Sequence, residues 1–481
     1  MKKTTFLPIL VILVLILQSC EDNTLYFEDA YVIENVNIID PLDGILEQQT
    51  VVIKKNKIHQ IYTTAEIRLS PKNTIYDGSN QYLIPGLWDA HIHFAFETLL
   101  GEYMPDLFLS NGVTSVRDTG GPIDFVLPFK KYSLENPTTA PRVMIAGPLI
   151  DGKHNVYDGS SPSFPLLSIQ NSSVSVLQKQ VQELIDKKVD FLKAYEMLSP
   201  EQFKLLAQMA QVNNLKLTGH IPLSMDVITA TNLGLNSMEH LRNLELSMAE
   251  DFEDLFSERR FALKNKNNMS GSKLRSTLHQ RQRMKAIANI DSARQNQVLN
   301  TLAINKTWQI PTLELYQTFA NKKYKSKSFQ SYFYLIPQKI RSKWMEQINS
   351  TSDKPDQKMI QYTQWSRNMV NQMHEKKIPF MAGTDTPIGF LIPGKSLHDE
   401  LIQLSLSGLS HLEALKTATY HPAKYFGLEN NLGRIKEGYE ADLVLLEKNP
   451  LESIKNTQSI RAVIKAGHFM NRTYLDSLQA K

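Results

Sequence analysis

The 481-residue sequence has a single cysteine, so no disulfide can form within the chain and a cystine-stapled fold is excluded. It also lacks a strong charge of either sign. Its 53 basic and 49 acidic side chains leave a formal net charge of +4, too small for the electrostatic footprint of a nucleic-acid binder. No Gly-x-Gly-x-x-Gly run follows the first strand of the α/β region described below, which counts against a dinucleotide fold. The one apolar run near the N-terminus, residues 6–17, is broken by Pro8 and is too short to span a bilayer comfortably. What the chain does have is 42% apolar against 21% charged residues, enough for a large core, in a length that exceeds what one core usually serves.

Lys2 and Lys3 precede that apolar run and Leu17-Gln18-Ser19-Cys20 follows it, the layout of an export signal. The segment resembles the lipobox of bacterial lipoproteins, with Gln18 where a small or aliphatic residue is usual. The resemblance implies that Cys20 is lipidated and becomes the new N-terminus. Residues 1–20 are then a lipoprotein signal peptide and 21–29 a polar tether. The mature chain is expected to be exported and lipid-anchored in a Gram-negative-type bacterium, facing the periplasm or the cell surface. An ordinary secretory peptide with a chance cysteine is the alternative. With the only thiol committed to lipid, a metal site has to be built from His, Asp, Glu or Lys.

From Ala30 onward, short β-type runs (Tyr31-Val32-Ile33, Val51-Val52-Ile53 and residues 58–62) are separated by the turn sequences Pro41-Leu42-Asp43-Gly44 and Asp77-Gly78. Similar runs return at 441–446 and 460–465. Together they predict a composite β domain, a small β-sandwich, formed by both chain ends over 30–83 and 429–481. Between them, residues 84–428 alternate strand-like and helix-like stretches. Eight strand candidates can be counted, at 87–93, 113–117, 143–146, 189–195, 215–221, 237–241, 309–313 and 378–385. That is the arithmetic of an α/β fold of the (β/α)8 TIM-barrel kind, whose chemistry sits at the C-terminal strand ends. A doubly wound sheet is the structural alternative. Two long polar connections, 242–308 and 316–377, read as helical insertions above the barrel mouth. The runs Arg259-Arg260 and Arg281-Gln282-Arg283 in the first read as a solvated helix face rather than an anion-attracting patch.

The chemistry begins at His91-Ile92-His93. Side chains alternate along a strand, so both imidazoles face the same way and one metal could hold both. Alone, this pair is as consistent with a polar strand end. Lys193, however, lies near the end of the fourth predicted strand, His220 closes Leu217-Thr218-Gly219-His220, His240 closes Ser237-Met238-Glu239-His240, and Asp385 closes Met381-Ala382-Gly383-Thr384-Asp385. In a barrel those ends converge on one mouth, so these side chains predict a metal cluster.

The stretch Ile84-Pro85-Gly86-Leu87-Trp88-Asp89-Ala90-His91-Ile92-His93 resembles the opening signature of the amidohydrolase superfamily. Gly112-Val113-Thr114-Ser115-Val116-Arg117-Asp118-Thr119-Gly120-Gly121 and Ala382-Gly383-Thr384-Asp385 strengthen the likeness, which runs from about residue 30 to 470. It is nearest to the imidazolonepropionase-like and Xaa-Pro dipeptidase (prolidase)-like subgroup. The resemblance implies two divalent metal ions, expected to be Zn2+. One would be bound by His91, His93 and Asp385 and the other by His220 and His240, with a carboxylated Lys193 bridging them.

A buried lysine whose pKa has fallen can react with CO2 to give a carbamate with carboxylate-like oxygens. A water between two divalent ions loses a proton near neutral pH, and Asp385 is placed to take that proton and deliver it to a leaving amine. If Lys193 is not a ligand, a mononuclear site of His91, His93, His220 and Asp385 is the fallback. His154, Tyr195 and His398 are candidate substrate contacts, and the remaining histidines read as structural or exposed. The function expected is hydrolysis of an amide C–N bond, and the resemblance to the prolidase-like subgroup implies a dipeptide (Xaa-Pro-like) or an N-acyl amino acid as substrate. Cyclic-amide or ester and lactone hydrolysis, and a non-catalytic surface-binding lipoprotein, are the alternatives.

Overall fold

The computed structural model describes residues 24–265 and 268–479, so the signal-peptide reading and Cys20 lie outside the described residues. No helix among the described residues is long and apolar enough to cross a membrane.

Strand Ala30–Asp40 turns back on Gly44–Lys54 through the Pro41-Leu42-Asp43 bend. Asp40 Oδ1 accepts the N–H groups of Leu42 and Asp43 at 2.9 and 3.0 Å, and Gly44 takes φ +80°, a conformation costly for any residue with a Cβ. Strand Tyr82–Pro85 lies between Ala30–Asp40 and Leu443–Leu446, so residues from both ends of the chain pair in one eight-stranded sheet. Leu443–Leu446 leads on to Ile460–Lys465 and His468–Asn471. Ile33, Val36, Val51, Leu443 and Ile464 bury a core here that is separate from the main one.

The rest of the molecule is mixed α/β. Seven parallel strands follow in chain order: β1 (Leu87–Ile92), β2 (Val113–Asp118), β3 (Arg142–Ile145), β4 (Phe191–Ala194), β5 (Lys216–Gly219), β6 (Ser237–Glu239) and β7 (Trp308–Ile310). β1, β2 and β3 pair in one sheet and β4 to β7 in another, with the short strand Leu149–Asp151 on the far side of β4. Asp190 N donates to Ile145 O at 2.9 Å, linking β3 to the start of β4.

The expected eighth strand, 378–385, is corrected. It forms no strand ladder, only isolated parallel bridges, Gln309 to Phe380 and Ile92 to Thr386, together with a hydrogen bond from Ala90 N to Ala382 O. Its end bends because Asp385 has φ +66°, outside the range of strand backbone. The sixth expected strand likewise stops at Glu239, since His240 and Leu241 take φ +58° and +53°.

The connection between β6 and β7 carries helices α1 (Phe252–Lys264) and α2 (Gly271–Ala288) and then Ser292–Ile304. Ser270 caps α2 by accepting the N–H of Lys273. The later connection carries Gln338–Ser350 and Gln357–Glu375. The reading of the two arginine runs as a solvated face is corrected at Arg259 and Arg283. Arg259 is fully buried, bonded to Gln282 Oε1 and Asn243 Oδ1 at 2.7 Å each, while Arg283 donates to Glu245 Oε1 at 3.0 Å with its side chain 13% exposed.

Candidate metal centre

Four histidines, a lysine and an aspartate close the C-terminal ends of these strands around one small cavity. His91 and His93 end β1 or follow it directly, Lys193 lies in β4, His220 and His240 come immediately after β5 and β6, and Asp385 ends the bent segment beside β1. All six are buried. Asp385 Oδ1 stands 3.2 Å from both His91 Nε2 and His93 Nε2, and Asp385 Oδ2 is 3.6 Å from His240 Nε2. The His91 and His240 rings lie 4.6 Å apart, centre to centre, and those of His220 and His240 4.9 Å apart.

Two glycines permit this convergence. A Cβ on Gly383 would stand 2.7 Å from the His91 Cβ, so only glycine lets the segment ending at Asp385 lie against β1. A Cβ on Gly219 would meet Ala194 O at 2.2 Å, which would part β4 from β5 just where Lys193 and His220 must be neighbours. His240 and Asp385 both adopt left-handed backbone, a conformation costing about 1–3 kcal/mol in a non-glycine residue and characteristic of functional sites. Main-chain bonds hold it: Asp385 N donates to His91 O at 2.7 Å and His240 N to Ile310 O at 2.9 Å.

Each imidazole is fixed through Nδ1. His91 Nδ1 meets Glu239 Oε2 at 2.5 Å, His93 Nδ1 the carbonyl of Gly120 at 2.8 Å, His220 Nδ1 Glu196 Oε1 at 2.7 Å and His240 Nδ1 Thr312 Oγ1 at 2.7 Å. Carboxylate and carbonyl partners can only accept, so His91, His93 and His220 carry a proton on Nδ1, which leaves Nε2 as the atom each ring turns toward the cavity. Burial pushes the His220 pKa down to about 3 and that of His240 well below the ordinary histidine range, so both rings are neutral. Asp385 is held well below the carboxylate range. Burial alone would raise it, but the neighbouring His91 and His240 outweigh that.

Lys193 is 1% exposed and its Nζ has no hydrogen-bond partner, an expensive arrangement for an ammonium. Burial lowers its pKa to about 8, so a substantial fraction is neutral amine near physiological pH. His91 Nε2 and Asp385 Oδ1 are likewise buried without an aligned partner. Buried polar atoms without partners are what a divalent cation would satisfy, and His91, His93 and Asp385 have ligand atoms within 4.8 Å of one another. The donor set therefore fits a metal.

Tyr195 lines this cavity with its ring 4.4 Å from that of His220. His154 and His398 do not reach it, and both expectations are corrected. His154 lines a separate hollow beside Lys153 and Gly271, where its carbonyl faces the start of α2. His398 bonds through both ring nitrogens, to Thr457 Oγ1 at 2.9 Å and Asn111 O at 3.0 Å, and Asn111 precedes β2, at the opposite strand ends from the cluster.

Several residues of the site were not anticipated. Glu239 also accepts from Arg117 Nη2 at 2.6 Å, and Arg117 Nε bonds Ala90 O at 2.5 Å, tying β1, β2 and β6 together behind the histidines. Asp89 receives Thr384 Oγ1 at 2.7 Å and so fixes the segment leading to Asp385. Glu196, which holds His220, also accepts from Arg275 Nε at 2.9 Å and His279 Nε2 at 2.8 Å, both on α2. The available signal was the spacing Arg275, His279, Arg283, which places three polar residues on one helix face four apart.

Residues 82–470 match the model of the amidohydrolase family. A stretch of 82 residues is 40% identical to the ochratoxinase of Aspergillus niger, covering 17% of this chain and 16% of that protein, so the chain matches about a sixth of that relative's length. Among solved structures, a Xaa-Pro dipeptidase with methionine bound in its active site has a TM-score of 0.64 at 18% identity, over 92% of this chain and 100% of that one. The bottromycin amidohydrolase has a TM-score of 0.66 at 18% identity, over 94% of this chain and 89% of its own. At such identities the likeness is one of fold.

Proposed function

The chain belongs to the amidohydrolase family of enzymes, and on that premise we propose that it is a metal-dependent hydrolase of an amide C–N bond in a dipeptide of the Xaa-Pro kind or an N-acyl amino acid. The observation that carries this reading is the convergence of the unpartnered His91 Nε2, Lys193 Nζ and Asp385 Oδ1 among rings whose Nδ1 atoms are tied back. Xaa-Pro dipeptidase and bottromycin amidohydrolase, by their names, act on amide bonds, which supports the bond class. In this reading the parallel strands form a (β/α)8 barrel and the sheet shared by both chain ends a composite β domain. The chain is anchored to a membrane by lipid on Cys20.

His91, His93 and Asp385 would hold one divalent ion and His220 and His240 a second. Lys193 would bridge them after its neutral amine adds to CO2, forming an N–C bond and releasing one proton. Such ions supply Lewis acidity toward the scissile carbonyl and a water of lowered pKa. Asp385 takes the proton of the attacking water on a carboxylate oxygen and returns it to the departing amine, which would otherwise be too basic to leave. Glu239, Glu196 and Thr312 keep the rings in the ligating tautomer. A mononuclear site is the second reading, favoured by the tight grouping of His91, His93 and Asp385 alone.

The test is turnover of Xaa-Pro dipeptides and N-acyl amino acids by the purified chain before and after metal chelation. Hydrolysis that disappears on chelation and returns with Zn2+ is expected, and hydrolysis indifferent to chelation would overturn the proposal.

A further inference from the structure

The two long connections meet behind one candidate ligand, His240. Because His240 and Leu241 take φ +58° and +53°, the chain leaves β6 here, and no main-chain N–H among the described residues donates to the His240 carbonyl. A buried carbonyl without a donor is costly. Two buried tyrosines supply the donors: the Tyr316 hydroxyl lies 3.2 Å from His240 O and the Tyr362 hydroxyl 3.3 Å.

Tyr316 belongs to the helix Leu313–Ala320, which follows β7. It stands four residues after Thr312, whose hydroxyl meets His240 Nδ1 at 2.7 Å, so one turn of chain reaches both the ring and the carbonyl of the same residue. Tyr362 comes from Gln357–Glu375 in the second connection. Its ring meets that of Tyr316 edge to face, 5.1 Å centre to centre, and the guanidinium of Arg283 on α2, in the first connection, lies 4.2 Å over it. Arg283 is anchored in turn by the fully buried Glu245. A cation over the ring face draws electron density from it, which makes the Tyr362 hydroxyl a better donor to the carbonyl.

Left-handed backbone in a non-glycine residue persists only where its surroundings over-determine it. His240 is fixed through its N–H on Ile310 O, its Nδ1 on Thr312 and its carbonyl on the two hydroxyls, with Nε2 facing Asp385 Oδ2 at 3.6 Å. Neither tyrosine lines the cavity of the ligand cluster, so both act through His240 and not on substrate.

We propose that Tyr316 and Tyr362 are positioning residues for the second metal ion: their hydroxyls hold His240 in its left-handed conformation, so that the affinity of that ion depends on how the two connections pack. This goes beyond the hydrolase reading and rests on its two-metal form.

The test uses Tyr316→Phe, Tyr362→Phe and the double variant, which delete the hydroxyls and keep both rings. Each is titrated with Zn2+ against a chromophoric chelator under conditions where circular dichroism shows it folded. Of the two Zn2+ steps of the wild-type chain, one is expected to weaken by roughly 3- to 10-fold in each single variant and roughly 10- to 100-fold in the double, while the other stays within about threefold. Co2+ in place of Zn2+ gives visible absorption bands that report the ligand geometry, and in the double variant only the bands of the weakened step are expected to shift. If the double variant does not fold, the single variants carry the same comparison. Two unmoved steps, or two that move equally as a general loosening of packing would make them, would overturn the positioning role and leave the hydrolase reading standing. A wild-type chain with a single Zn2+ step would overturn it in favour of the mononuclear site, and a wild-type chain that binds no Zn2+ would overturn the hydrolase reading as well.

Discussion

Replacing Glu196 with glutamine is predicted to separate the two halves of the proposed metal centre. Glu196 touches only His220 among the six candidate ligands, through the 2.7 Å contact to Nδ1. The variant keeps an acceptor of nearly the same shape but removes the charge that makes the imidazole a better donor to a cation. Outer-shell partners of this kind are worth roughly 10- to 100-fold in metal affinity, about 1.4–2.7 kcal/mol. The His91 and His93 site has its own partners, Glu239 and the Gly120 carbonyl, and is expected to keep its affinity within about threefold. Folding is weakened separately, because Arg275 loses its only ion-pair partner among the described residues, a change worth about 3 kcal/mol for a buried pair. The assay is Zn2+ titration against a chromophoric chelator at a temperature where circular dichroism shows the variant folded. Two binding steps are expected, with only one of them moved. Two unmoved steps, or two that move equally, would refute the assignment of Glu196 to one half of the site.

Lys193→Ala is predicted to lower bound metal and abolish hydrolysis, with partial rescue by acetate or propionate in place of the carbamate, and unchanged activity would remove Lys193 from the site. Acid stability tests the buried histidines. Burial holds His220 to about 3 and His398 and His421 to about 4, against about 6.5 when unfolded, so below pH 6.5 the unfolded chain binds protons that the folded chain does not. These histidines therefore contribute stability to the metal-free chain that is fully present above pH 6.5 and is lost on acidification toward pH 4, by about 1.4 kcal/mol per pH unit each, while Asp89 and Asp151, raised to about 7, and Glu400, raised to about 8, act in the opposite direction. His398→Gln should make that slope, measured by urea unfolding at pH 7, 6 and 5, shallower by one proton; an identical slope would count against the burial account. Cys20→Ala should abolish incorporation of labelled fatty acid and move the protein from the membrane fraction to the soluble one without loss of turnover, and a variant that stays in the membrane would end the lipid-anchor proposal.

The candidate cluster was legible because each member sits at a strand end and strand ends are marked locally, by the two-residue period of His91 and His93 and by Gly219 and Gly383 ahead of His220 and Asp385. What holds those ligands was not. Glu196, Thr312 and Asp89 reach their partners across the fold, and nothing near them in sequence says so. Glu239 is adjacent to His240 yet serves His91, because neighbouring residues leave a strand in opposite directions. Arg259 and Arg283 read as solvated because charge on a helix usually is, whereas here α1 and α2 bury them against Asn243 and Glu245. His398 was misread for the opposite reason: it follows the Asp385 segment in sequence, in the first turn of the helix Lys395–Leu406, but Asn111 and Thr457 take both of its ring nitrogens. Tyr195 was reachable from sequence because it follows Lys193 by one strand period.

The most direct test of the metal centre is elemental analysis of the purified chain after Zn2+ loading and desalting. Close to two ions per chain is predicted, and one would select the mononuclear reading. A chain that emerges metal-free and cannot be loaded would contradict the assignment of His91, His93, Lys193, His220, His240 and Asp385 as ligands.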